Sequence, residues 1–150
     1  MKQLRARLPR DAILVGQNIA KDVEWLGLKE GEDFAAMVDL AALLRVWNER
    51  YHSFTYFGLA HAAKCWLGVR DDSLVTGVCD PHDAVVDAKR SVQLFNLYSR
   101  LQHSPAALAS IQQVMLTTPV TPSFAKTNPT FEGCCMGNRK TCVCGAPFFN

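Results

Sequence analysis

The sequence predicts a mixed α/β domain, on three observations. Ala12 to Val15 is a short continuous apolar run ended by Gly16, the pattern of a central strand covered on both faces. Ile19, Val23 and Leu26 follow it at spacings of four and three, which is one apolar stripe of a helix. From about Asp83 to Leu101, Val85, Ala88, Val92 and Phe95 step by three, four and three, so that face of a long helix is expected to pack inward.

Taken in order, residues 2 to 8 read as a helix stopped by Pro9, and the basic residues gathered at this end (Lys2, Arg5, Arg7, Arg10) as a solvated face, with phosphate contact the alternative. Asn18 is positioned to cap the helix after the first strand. Asp22 lies at the edge of that helix's stripe. Gly27 to Asp33, with Glu30, Glu32 and Asp33, reads as an exposed loop. Ala36 to Leu44 begins as a strand ending at Asp39 and runs into a helix carrying Leu40, Leu43, Leu44 and Trp47. Residues 48 to 53 form a polar turn, Phe57 to Leu67 a helix, and Arg70 to Gly77 a loop. Asp80 or Asp83 can cap the long helix, with Pro81 suited to its first turn. Ser104-Pro105 opens a further helix to about Leu116, and Thr117 to Pro129 is a linker.

A chain of 150 residues with 49% apolar and 20% charged residues accommodates one domain with a real core. Its net charge of +2 is too small to argue for nucleic acid by itself. No apolar run approaches the roughly 18–20 residues of a membrane span, and the N-terminal charges lead into no apolar signal segment. An intracellular protein, nuclear or cytoplasmic, without a membrane partner is expected. Its six cysteines then read as reduced thiols or metal ligands.

Two stretches carry chemistry. Leu14-Val15-Gly16-Gln17-Asn18 is followed four residues on by Asp22, and His82 stands five residues before Asp87-Ala88. Singly, each acid is an ordinary solvated helix residue. In this order they resemble the second and third motifs of the DEDDh family of 3′–5′ exonucleases, which have the ribonuclease H-like fold. Met37-Val38-Asp39-Leu40 and Phe57-Gly58-Leu59-Ala60, continuing to Trp66-Leu67-Gly68, resemble the family's connecting strand and helix. The resemblance covers about residues 4 to 102.

The resemblance implies a ribonuclease H-like exonuclease fold and hydrolysis of phosphodiester bonds at a free 3′ end of RNA or DNA. Asp22 and Asp87 are implied as ligands of two divalent ions, Mg²⁺ or Mn²⁺, which take oxygen ligands. His82 is implied as the base that takes the proton of the attacking water. The ions activate that water and stabilise the leaving 3′ oxygen. Gln17, where the family usually has histidine, and Asn18 are implied beside the nucleic acid. Asp39 is implied as structural. The family's first motif, Asp-x-Glu, supplies two further carboxylates, and nothing of that form precedes Asp22; the only upstream acid is Asp11. Residues 1–102 are therefore expected to be the C-terminal part of an exonuclease-like domain without its first strands. Such a chain is either part of a longer exonuclease or a relative that binds nucleic acid without cutting it.

Residues 103–118 read as an accessory helix and 119–150 as a linker and cysteine-rich tail. Cys134, Cys135, Cys142 and Cys144 lie among Gly133, Gly137, Asn138 and Gly145, a turn-rich setting in which four thiolates can hold Zn²⁺. The pairs are adjacent or one residue apart, unlike the two-residue gap of zinc ribbons, and a tail with free thiols is the alternative. Arg139 and Lys140 between the pairs are candidates for phosphate contact, as in zinc knuckles. A third reading makes the tail the functional part, in a zinc-stabilised adaptor. Cys65 and Cys79 read as buried thiols, and His61 with Cys65 as packing residues.

Overall fold

Pro9 cannot continue a helix, so the opening segment closes early as α1 (Lys2–Arg7). A computed structural model describes residues 2–69 and 84–120. After α1 come β1 (Ile13–Gly16), α2 (Ile19–Trp25), β2 (Ala36–Asp39), α3 (Leu40–Leu43), β3 (Val46–Asn48), β4 (Ser53–Thr55), α4 (Leu59–Leu67), α5 (Ala84–Leu101) and α6 (Pro105–Thr117). The expected mixed α/β class is what forms. No helix among the described residues is long and apolar enough to cross a membrane.

The apolar run forms β1, and it pairs in parallel with β2, Ile13 opposite Ala36 through Gly16 opposite Asp39. The connection must return the chain to the same end, which α2 accomplishes. The strand is not covered on both faces as expected. Among the described residues β1 bonds to β2 alone, and Ile13 is 56% exposed. Two short strands are too narrow for the helices packed on them to cover both faces end to end.

Helix α2 stops because Gly27 adopts φ 59°, a left-handed conformation that costs glycine little. The Gly27 and Leu28 amides turn back to the carbonyls of Glu24 and Val23, both at about 3 Å, closing a Schellman motif. Leu28 and Phe34 are buried beneath the connection. Arg5 of α1 donates to the Gly27 carbonyl and pairs with half-buried Asp33 at 3.4 Å. The N-terminal basic face thus has one structural member.

The main core joins Leu40, Leu44, Val46, Ala62, Trp66, Leu94 and Met115, drawn from five segments. Helices α4, α5 and α6 pack on one another, and α5 also packs on β1. The inward face of α5 agrees with the expected one only at Phe95, which packs against the core. Val85 is 60% and Val92 50% exposed, whereas Leu94 is fully buried and Ser91 nearly so. At 100° per residue, Asp87, Ser91, Leu94 and Tyr98 lie within about 40° of one line, and Val85 and Val92 lie on the far side. Leu94, Leu97, Tyr98 and Leu101 offer more apolar area than the valine stripe, so their side turns to the core.

Trp47 is likewise not on a helix. Helix α3 ends at Leu43, and Val46 to Asn48 pairs antiparallel with Ser53 to Thr55. The polar turn at 48–53 is the loop of this hairpin, held by the Arg50 amide donating to Asn48 Oδ1 at 3.1 Å.

Two polar contacts, both to Met115, tie α4 to α6. The amide four residues after Met115 would normally bond its carbonyl, but that residue is Pro119. Buried His61 supplies the missing donor, with Nε2 3.0 Å from the Met115 carbonyl oxygen. A carbonyl only accepts, so the proton sits on Nε2. The His61 ring stacks on Phe57 at 4.9 Å, and Trp66 Nε1–H donates to Met115 Sδ at 2.8 Å. His61 is a packing residue, as expected; Cys65 is half-buried beside it.

Candidate metal centre

A strand that ends at Gly16 must turn within two residues to enter α2, and three of the expected site residues lie on or just after that turn. A methyl group at Gly16 would stand 3.1 Å from Ile19 Cδ1, so the close approach of strand end and helix favours glycine. Gln17 is half-buried, and its Nε2–H donates to the Phe57 carbonyl at 2.9 Å. Half of the Gln17 amide is thus spent on linking this turn to the entry of α4.

Asn18 sits in the left-handed region, φ 55° and ψ 36°, which asparagine tolerates better than most residues. The expected side-chain cap is not made. Cap residues reach the second or third helical amide from an extended backbone, and the left-handed one turns the side chain away. The Asn18 backbone amide instead donates to Asp39 Oδ1 at 3.0 Å. The same oxygen accepts the Ala41 amide at 2.8 Å, capping α3. Asp39, paired with Gly16 across the sheet, is therefore a bracket between the end of β1 and the start of α3. This is the structural role expected for it.

Asp22 is exposed in the first turn of α2, where a carboxylate also complements the helix dipole. Asp87 is half-buried on the inward side of α5, 3.8 Å from the Arg90 guanidinium. Its backbone carbonyl accepts the Ser91 hydroxyl at 2.9 Å. The two acids come from helices that both pack on β1. Among the described residues no group of three or more His, Cys, Asp or Glu is gathered closely enough to hold a metal ion. His82, Asp80, Pro81 and Asp83 lie outside the described residues, as do Cys79, Cys134, Cys135, Cys142, Cys144, Arg139 and Lys140.

Sequence reasoning missed the chain of contacts beneath this region, from Gln17 to Phe57 to His61 to Met115. One signal was available: Pro119 four residues after Met115 announces a carbonyl in need of a donor. Compared with family models, curated proteins and solved structures, the chain matches none.

Proposed function

We propose that this chain carries the second and third acidic motifs of a metal-dependent 3′–5′ exonuclease with a ribonuclease H-like fold. One observation carries the reading. Helix α5 packs on β1 with Asp87 on its inward side, while β1 leads through Gly16 into the helix bearing Asp22. The two acids thus lie on helices that both pack on that strand.

The residues suit the ions the reading calls for. Magnesium and manganese take oxygen ligands, and magnesium is commonly held by one or two carboxylates with waters and substrate phosphates completing its shell. Asp22 and Asp87 would hold them, and the ions, when bound, would supply the Lewis acidity for attack on phosphorus. His82 would receive the proton of the attacking water at an imidazole nitrogen. The Gln17 and Asp39 contacts hold the turn that leads into the helix bearing Asp22. A binding module that does not cut is the second reading, in which the same turn and helices meet nucleic acid without holding catalytic ions.

Release of nucleoside 5′-monophosphates from a 3′-labelled oligonucleotide in Mg²⁺ or Mn²⁺ tests the reading. His82→Ala should slow release on the order of 100-fold or more, the usual contribution of a general base. Asp87→Asn should abolish metal-dependent release while losing an Arg90 pair worth at most about 1 kcal/mol. Activity and melting temperature falling in proportion would make Asp87 structural. No release by the wild-type chain would favour the binding module.

A further inference from the structure

The β3–β4 hairpin has two unlike faces. Val46 points into the core, so Trp47 and its partner Phe54 point out, and the alternation continues to Arg45 and Tyr56. The solvated face of an antiparallel pair is ordinarily polar. Here Trp47 is 43%, Phe54 42% and Tyr56 59% exposed, and exposed Tyr51 lies in the turn. Trp47 and Phe54 meet edge to face at 5.2 Å. The Arg45 guanidinium lies 4.2 Å from the Phe54 ring centre, and that of Arg50 5.6 Å from Tyr51. Neither arginine forms an ion pair among the described residues.

We propose that this face is a stacking platform for single-stranded nucleic acid. Trp47 and Tyr56 offer exposed rings to successive bases, and the guanidiniums over Phe54 and Tyr51 offer charge and N–H donors to the phosphates. Charge complementarity selects this occupant. An apolar protein segment would satisfy the rings but leave two arginines desolvated without a counter-charge. One hydrogen bond links the end of the platform to the turn at the candidate site. Tyr56 precedes Phe57, whose carbonyl holds Gln17 on the turn leading to Asp22. The inference deepens the proposed exonuclease reading, on which it rests, by giving the substrate a footing away from its reacting end.

The test is fluorescence anisotropy of the full chain with a labelled oligothymidine of about 12 nucleotides, in EDTA so that no cutting occurs. Trp47→Ala should weaken binding roughly 5- to 100-fold, the range of one lost base stack. Trp47→Phe should restore most of it, and Trp25→Ala, an exposed ring elsewhere, should change nothing. Arg45→Ala should lower the slope of log K against log salt by about 0.7, one phosphate's share on a single strand. Equal binding by wild type and Trp47→Ala overturns the proposal, as does absence of binding by the wild type. A loss of binding that tracks a change of mass by light scattering also overturns it, in favour of contact between copies. Failure of the nuclease reading looks different: binding in EDTA persists and depends on Trp47, while Mn²⁺ yields no product.

Discussion

His61→Phe isolates a single hydrogen bond that the fold cannot replace from elsewhere. Phenylalanine keeps a ring to stack on Phe57 but removes the Nε2–H that serves the Met115 carbonyl. Pro119 has no amide to offer, so that carbonyl stays buried and unpaired. A stranded buried acceptor costs about 1–3 kcal/mol, which for a chain of this length is roughly 4–8 °C in melting midpoint at the middle of the range. Extra ring volume can add to the loss, so the decisive measurement is a double-mutant cycle with Pro119→Ala. Removing proline restores an amide and releases Thr118 from the extended conformation that proline imposes, φ −71° and ψ 128°. Pro119→Ala should recover about 1 kcal/mol in the His61→Phe background and little in the wild type, by calorimetry or urea melts. Equal effects in both backgrounds would refute the reasoning.

Two further outcomes are expected. Gly27→Ala should cost about 1–2 kcal/mol, because the left-handed conformation disfavours any side chain while nothing lies within 4 Å of the new methyl group; in urea the midpoint should fall with the slope unchanged. Asp39→Ala should cost about 1–2 kcal/mol by stranding the Asn18 and Ala41 amides, and Asp39→Asn, which keeps an oxygen, should lose clearly less. Identical melting of the two Asp39 variants would mean that the bracket contributes nothing.

Much of the element order was legible because local signals agreed with the fold. The apolar run closed by Gly16, the stripe Ile19, Val23, Leu26 and the stops at Pro9 and Gly27 each follow from backbone chemistry. The failures were cases where packing decided. Val85 and Val92 keep perfect helical spacing, yet the larger side chains of Leu94, Tyr98 and Leu101 determine which way α5 turns. The hairpin escaped notice because each strand has three residues and its loop lacks an Asn-Gly or Asp-Gly pair. At the candidate site, residue types and order pointed to Asp22 and Asp87, but periodicity misjudged the orientation of α5. Asn18 was read as a side-chain cap that it does not make, and its left-handed backbone and the long-range Asp39 acceptor were beyond local reasoning.

The bracket at Asp39 has a dynamic consequence. Two amides far apart in the chain hang from one oxygen atom, so neither can open to solvent without weakening the other's anchor. Movement of Asp39 away from this position would release both amides at once, and their hydrogen exchange is expected to rise together on that opening. Any ion or nucleotide that steadies Asp22's helix would be felt at the beginning of α3 as slower exchange, making Ala41 a remote reporter of occupancy.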